Sequence, residues 1–138
     1  IYIYINLCRY MAAERKIKMV RAIRGATTVE NNDKNEIWEA TEEMVCEILK
    51  KNNVKIYDII SITFTLTQDL NACYPAVRVR EMGITNVPLM NMCELPVPGA
   101  LAKCIRVIIE FNSDKGLDEI KHIYLRGAKK LRPDLADK

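Results

Sequence analysis

The sequence predicts an α/β (α+β) fold, in which a mixed five-stranded sheet carries two main helices on one face. Two segments, 59–67 and 105–111, alternate apolar and polar residues with a period of two, which is typical of half-buried strands. A third segment, 34–51, repeats its apolar residues at helical spacing. At 138 residues, with 49% apolar and 28% charged side chains, the chain has the size and composition of one globular domain.

The first half of the chain begins with a short strand, predicted over 20–24, that the Gly25-Ala26-Thr27-Thr28 stretch interrupts. Asp33, followed three residues later by Glu36, resembles a capping box and starts the helix over about 34–51. The second strand spans 59–67. Pro75 is suited to the first position of a second helix, which Gly83 ends.

Three further strands are predicted in the second half. The segment 86–92 contains Pro88, which cannot donate to a strand ladder and therefore places this strand at an edge or an irregular position. The fourth strand covers 105–111 and the fifth lies within 122–128. So few helices leave part of the sheet uncovered, and oligomerisation is the expected remedy.

Charge and hydropathy exclude several classes of function. Residues 1–18 hold four basic side chains and one acidic one, which accounts for the whole net charge of +3. The remaining body is neutral, which argues against nucleic acid as a partner. No segment approaches the roughly 18 apolar residues that span a bilayer, so no membrane association is expected. We interpret residues 1–18 as an upstream extension or an expression remnant, whose alternating Ile1, Ile3 and Ile5 could add to a sheet edge.

Most catalytic signatures are missing. The five cysteines contain no C-x-x-C pair, so reduced thiols that are mostly buried, in a cytoplasmic protein, are expected. His122 is the single histidine, and neither Ser61 nor Ser113 lies in a nucleophile-elbow pattern. The five glycines form no phosphate loop. An enzyme with this sequence is expected to use no covalent intermediate, metal or cofactor.

Arginines in apolar surroundings remain as candidates. Arg106 lies in a strand, on the face that Glu110 shares, and its guanidinium needs an anion because it stays charged. A structural ion pair with Glu110 is one interpretation, and a functional anion site is the other. Arg24, at the predicted strand end, is either a solvated arginine or a functional one. Glu94, beside apolar residues, is by itself a routine loop acid.

Five segments together resemble the small trimeric α/β-barrel class of chorismate mutases. They are VRAIRGATTVE, DLNACYPAVRVREMG, VPLMNMCEL, KCIRVII and HIYLRGAKKLRPDL, in that order, between residues 19 and about 135. The resemblance implies a homotrimer, with active sites between subunits, that assembles as a trimeric pseudo-α/β-barrel. It also implies the rearrangement of chorismate to prephenate, which needs no nucleophile or base. The domain is then expected to cover 19–138, with a mobile tail from about 132.

The resemblance assigns the catalytic roles to Arg106, Glu94 and Arg24. Arg106 corresponds to the cation at the ether oxygen, where charge develops in the transition state. Glu94 corresponds to the acid that contacts the substrate hydroxyl. Arg24 corresponds to a carboxylate-binding arginine, next to which Gly25 is expected to let backbone and ligand approach closely.

The resemblance also implies a set of substrate-binding residues, namely Tyr124, Tyr74, Ala76, Arg80, Asn91, Leu131 and Arg132. Tyr124 matches a hydrogen-bond donor to a substrate carboxylate. Tyr74 matches an aromatic wall, which the neighbouring subunit contributes together with Ala76 and Arg80. Leu131 and Arg132 match the tail that closes over the ligand. Asn91 stands where the family often has a cysteine facing the substrate, and Val77 where a lysine can occur. The segment 81–87 is one residue shorter than the family pattern.

The sequence is also compatible with two other classes of protein, a binding protein without catalysis and a structural scaffold. A trimeric protein that binds small carboxylates without turnover would use similar clefts. A structural scaffold would instead leave Arg24, Arg106 and Glu94 engaged with each other, with no cleft between them.

Overall fold

The computed structural model describes residues 17–135. The expectations for residues 1–16 and 136–138 therefore lie outside the described part of the chain. None of the helices within 17–135 is both long enough and apolar enough to cross a membrane.

Five strands and two α-helices form the described fold. In chain order they are β1 (Met19–Thr28), α1 (Lys34–Lys51), β2 (Ile59–Leu66), α2 (Pro75–Glu81), β3 (Leu89–Cys93), β4 (Cys104–Ser113) and β5 (Ile123–Tyr124). Short 3₁₀ turns cover Ile56–Asp58, Leu117–Glu119 and Arg126–Leu131. The strand order across the sheet is β3-β2-β4-β1-β5. The pairs β1–β4 and β2–β4 are antiparallel, whereas β1–β5 and β2–β3 are parallel, so the predicted mixed sheet is confirmed.

Helix α1 begins and ends as the sequence predicts. The carboxylate of Asp33 accepts hydrogen bonds from the backbone N–H groups of Asn35 and Glu36, which satisfies donors that the first helical turn leaves unpaired. The reciprocal half of a capping box is absent, because the Glu36 carboxylate accepts from the backbone and side-chain nitrogens of Asn31 instead. The apolar face of α1 is buried against the sheet through residues such as Ile37, Met44 and Ile48.

Strand β1 is longer than predicted. It runs through Thr28 because its backbone pairs with β4 along the whole length, ending with Thr28 opposite Cys104. Gly25 does not interrupt the strand. A Cβ atom at this position would lie 2.6 Å from Cδ1 of Ile48 and 2.9 Å from Cγ1 of Val107. Gly25 thus has a packing role, since the missing side chain makes room for Ile48 and Val107 on the opposite face from Arg24. The expectation that it admits a ligand stays a prediction.

The edges of the sheet also differ in detail from the sequence expectations. Strand β3 is an edge strand, as Pro88 indicated, but it starts after Pro88, whose carbonyl accepts from the N–H of Ile62. Strand β5 has only two residues, because Arg126 takes a positive φ of 51° and the chain turns into 3₁₀ geometry.

The two faces of the sheet have different surroundings. The face toward α1 and α2 contains the main core, including Ile23, Phe64 and Ile109, each 0% exposed. The opposite face, which we call the open face, is covered by neither α-helix within residues 17–135, although the 3₁₀ turn Arg126–Leu131 packs on part of it, where Ala128 clusters with Ala26. Its side chains come from alternate strand positions, among them Arg24, Thr65 and Arg106.

Candidate active site

The open face brings Arg24 and Arg106 close together. Arg24 on β1 is the register partner of Ile108, and Ala26 is the partner of Arg106. The two arginines are thus diagonal neighbours on adjacent strands, for which Cα atoms lie about 7–8 Å apart. The strand register therefore places both arginines on one surface.

Arg106 is held by a carboxylate, but not by the one on its own strand. Its Nε lies 2.8 Å from Oε1 of Glu94, while Glu110 accepts a hydrogen bond from Ser61. The structural pairing of Arg106 with Glu110 is therefore wrong. The Arg106 side chain is 32% exposed and that of Glu94 14%, so both charges are substantially desolvated and stabilise each other.

The Arg106–Glu94 contact is an ion pair rather than a directed hydrogen bond. Despite the short distance, the buried Nε–H of Arg106 is aligned with no acceptor among residues 17–135. Because Nε itself is buried, a ligand would meet the remaining N–H groups of this guanidinium, whose side chain stays 32% exposed. This is the feature of the open face that most directly points to a bound anion or polar ligand.

Thr65 completes the Arg106–Glu94 cluster. Its hydroxyl donates to Oε1 of Glu94 at 2.6 Å, and the backbone N–H of Glu94 donates to the carbonyl of Leu66 at 2.9 Å. Glu94 is thus fixed by β2 although it follows β3 in the chain. Thr65 was not among the residues predicted for the site. Its polar position in the alternating segment 59–67 is the sequence signal for an exposed strand face, and the register places it opposite Arg106.

A second cluster surrounds Arg24. The backbone N–H of Arg24 donates to Nδ1 of His122 at 3.0 Å, so His122 is a structural acceptor in its neutral form with the proton on Nε2. Burial lowers the pKa of His122, and the nearby positive charges of Arg24 and Arg132 lower it further. The Arg24 side chain is exposed and forms no ion pair with residues 17–135. The scaffold interpretation needed Arg24 engaged with Arg106 and Glu94, and that contact is absent among these residues.

Tyr124 and the segment 126–135 lie at the β1–β5 side of the sheet. Tyr124 pairs with Ala26 across β5 and β1 and is 5% exposed. Leu131 packs against the small cluster of Ala26, Tyr124 and Ala128. Arg132 is exposed and forms a two-point ion pair with Asp134, at 3.0 and 2.9 Å.

The remaining predicted residues lie elsewhere in the same chain. Tyr74 and Asn91 line a cavity of about 880 Å³, which we call the α1–α2 cavity, together with Lys34, Trp38 and Val77. The cavity lining includes none of Arg24, Arg106 and Glu94. Arg80 is exposed on α2, and no ion pair joins it to the described residues. Within one chain, the predicted site residues therefore lie apart, some on the open face and others around the α1–α2 cavity.

Asn91 has a local role that the sequence did not indicate. Its register partner is Phe64, which places its side chain on the helix face of the sheet rather than the open face. There its Oδ1 accepts from the backbone N–H of Ala76 at 3.2 Å. Tyr74, the N-cap residue of α2, provides no side-chain cap, so Asn91 supplies one from β3. The expectation that the Asn91 amide donates to the substrate where the family often has a cysteine stays a prediction, since Asn91 also lines the α1–α2 cavity.

The cysteines are less uniformly buried than expected. Cys104 is buried, and burial raises the pKa of its thiol to about 11, whereas Cys46 and Cys93 are exposed. The four cysteines within residues 17–135 are free thiols. No group of three or more metal-ligating side chains is found in that part of the chain.

Fold and site together define a small α+β protein whose open sheet face presents charged groups suited to a carboxylated small molecule. A family model described as chorismate mutase type I matches residues 20–135. The chain is 43% identical over 118 residues to chorismate mutase AroH of Thermus thermophilus, covering 85% of this chain and 97% of that protein. It is 42% identical over 119 residues to chorismate mutase AroH of Bacillus subtilis strain 168, covering 86% and 94%.

A solved structure gives the same result. A chorismate mutase from Clostridium thermocellum superposes with a TM-score of 0.79 at 51% identity, covering 80% of this chain and 98% of that one. The chain belongs to the type I chorismate mutase family. Its activity is accordingly the isomerisation of chorismate to prephenate, a step of aromatic amino acid biosynthesis.

Proposed function

We propose that the rearrangement takes place over the open face of the sheet, with Arg106 at the ether oxygen of chorismate. The observation that carries this proposal is the guanidinium of Arg106, which Glu94 holds on the open face and whose side chain stays 32% exposed there. Its exposed N–H groups are oriented before an oxygen gains negative charge. Such preorganised donors lower barriers most where charge develops.

Glu94 and Arg24 take complementary roles in this mechanism. Oε1 of Glu94 is occupied by Thr65 and Arg106, which leaves Oε2 for the substrate hydroxyl. Arg24, exposed on the same face, binds a carboxylate of the substrate with the help of Tyr124. Together they hold the enolpyruvyl group over the ring in its reactive conformer, which removes an entropic part of the barrier. No proton transfer or covalent step is required, and no cofactor takes part.

We further propose a homotrimer with active sites between subunits. Met90, Met92 and Ile108 are 58%, 51% and 37% exposed on strands β3 and β4, and apolar surface of this kind marks an interface. The separation of Tyr74, Ala76 and Arg80 from the open face within one chain supports the same arrangement. A neighbouring subunit would bring these residues to Arg106. Leu131, Arg132 and the tail from about 132 would then close over the substrate.

Subunit complementation tests the interfacial site. Arg80→Ala and Arg106→Ala protomers are each expected to form nearly inactive homotrimers. A mixed trimer contains interfaces that combine wild-type Arg106 from one protomer with wild-type Arg80 from the other. Co-expressed, separately tagged protomers should recover part of the wild-type kcat, and no recovery in verified mixed trimers would contradict the proposal.

We place the working domain at 19–138 and the protein in the cytoplasm. The family match over 20–135 supports the first statement, and the free thiols of residues 17–135, two of them exposed, support the second. A chain starting at Met19 should retain the kcat of the full chain, and a large loss would show that residues 1–18 take part.

The activity is tested by incubating purified protein with chorismate. Loss of the conjugated-diene absorbance and acid-triggered appearance of phenylpyruvate report conversion. Saturable conversion is expected. Tight binding of chorismate or prephenate by calorimetry, without conversion, would instead support a protein that only binds small carboxylates.

A further inference from the structure

The α1–α2 cavity contains a cation that the sequence did not single out. Lys34, the first residue of α1, lines the cavity with Trp38, Tyr74 and Val77. Tyr74 is the expected aromatic wall of the substrate site, and position 77 is where the family resemblance allows a lysine. Lys34 therefore reaches the region in which the chain lacks that lysine.

The position of the Lys34 ammonium is defined by an aromatic ring. Its Nζ lies 4.2 Å from the centroid of the Trp38 ring, a cation–π distance. The indole Nε1 of Trp38 in turn donates to the carbonyl of Tyr74 at 3.4 Å. Two contacts thus connect the cation to the segment that carries Tyr74.

Lys34 is also the one cation among the described residues that line this cavity. The other charged residue that lines it is Glu81, whose Oε2 accepts from Nη1 of Arg78 at 3.1 Å. Among residues 17–135, no carboxylate forms an ion pair with Lys34. The ammonium is thus oriented by the Trp38 ring and remains available to an anion.

We propose that Lys34, held over Trp38, captures the dianionic substrate at this cavity in place of the lysine that is missing at position 77. This inference rests on the proposed function, because it requires the Tyr74 segment to line the substrate site. The cation acts on encounter and binding rather than on the breaking bond. Its effect should therefore appear in kcat/KM and decrease as salt screens it.

Four variants test the inference by steady-state kinetics across ionic strength. Lys34→Gln should lower kcat/KM about three- to tenfold at low salt, with kcat within about twofold of wild type, and the difference should shrink at high salt. Lys34→Arg keeps the charge and should keep kcat/KM. Lys55→Gln, at an exposed lysine that does not line the α1–α2 cavity, is the control for net charge. Val77→Lys in the Lys34→Gln background should restore most of kcat/KM.

The kinetics of these variants either support or overturn the role proposed for Lys34. Unchanged kcat/KM and salt dependence in Lys34→Gln would overturn it while the active wild type leaves the proposed function intact. A fall in kcat that neither Lys34→Arg nor Val77→Lys corrects would indicate a structural role and would also overturn it. Wild-type protein without turnover would overturn both the inference and the proposed function.

Discussion

Replacing Gly25 by alanine separates two explanations of this glycine. It either leaves room for the packed side chains of Ile48 and Val107 or lets a ligand approach the backbone beside Arg24. The added Cβ would lie 2.6 Å from Cδ1 of Ile48 and 2.9 Å from Cγ1 of Val107, closer than carbon atoms normally approach. Because Ile48 is 0% exposed and Val107 4%, neither side chain can move away into solvent. Overpacking of this kind costs about 1–3 kcal/mol, and we expect the free energy of unfolding to fall by that amount.

Urea unfolding at one fixed protomer concentration measures this loss, since the stability of an oligomer depends on concentration. Ile48→Val removes Cδ1, the nearest atom, and by itself should cost about 0.5–1.5 kcal/mol. The double variant should then be more stable than the sum of the two single effects predicts, by about 1 kcal/mol. Chorismate kinetics, corrected for the folded fraction, should stay near wild type, because the new methyl group points away from Arg24.

The opposite pattern would refute the packing argument. If Gly25→Ala left stability unchanged but raised KM severalfold, the glycine would serve ligand approach, as the sequence pattern indicates. Strict additivity with Ile48→Val would also refute the predicted contact.

Three further changes have defined expectations. Arg24→Ala should lower kcat/KM at least about tenfold, because the role proposed for Arg24 is a charged hydrogen bond to a substrate carboxylate, whereas Arg21→Ala on the same strand should not. Equal kinetics of Arg24→Ala and wild type would count against this role. Asn91→Ala removes the acceptor for the Ala76 N–H and should lower the free energy of unfolding by about 1 kcal/mol, measured by thermal unfolding. Asn91→Asp retains the acceptor and should be less destabilised. An equal loss in both variants would contradict the capping role. Thr27→Val should raise the free energy of unfolding by about 1 kcal/mol, because the Thr27 hydroxyl is fully buried and has no hydrogen-bond partner in residues 17–135. A destabilised Thr27→Val protein would indicate an unseen partner.

The elements that a cap residue or a hydrophobic period marks in their own segment were predictable from the sequence. Helix α1 runs from Lys34 to Lys51 as expected, since Asp33 caps it and its apolar period is unbroken. Strands β2 and β4 follow from their period of two. The bounds of β1 were not predictable in this way, because Thr27 and Thr28 become strand residues only through pairing with β4.

The site was predictable in its composition but not in its contacts. Glu94 and Arg106 are 12 positions apart, and they meet because β2 pairs with both β3 and β4. Local spacing favoured Glu110, which shares a strand face with Arg106. The cap from Asn91 to α2 and the Lys34–Trp38 pair depend on tertiary contacts, which no local pattern encodes.

The central claim is that Arg106 stabilises the charge that develops on the ether oxygen, and kcat of Arg106→Ala at saturating chorismate tests it most directly. Loss of one transition-state donor costs about a hundredfold or more in kcat, and we expect a fall of at least that size in protein that remains folded by circular dichroism. A kcat close to wild type, with only KM raised, would contradict the claim and assign Arg106 to ground-state binding.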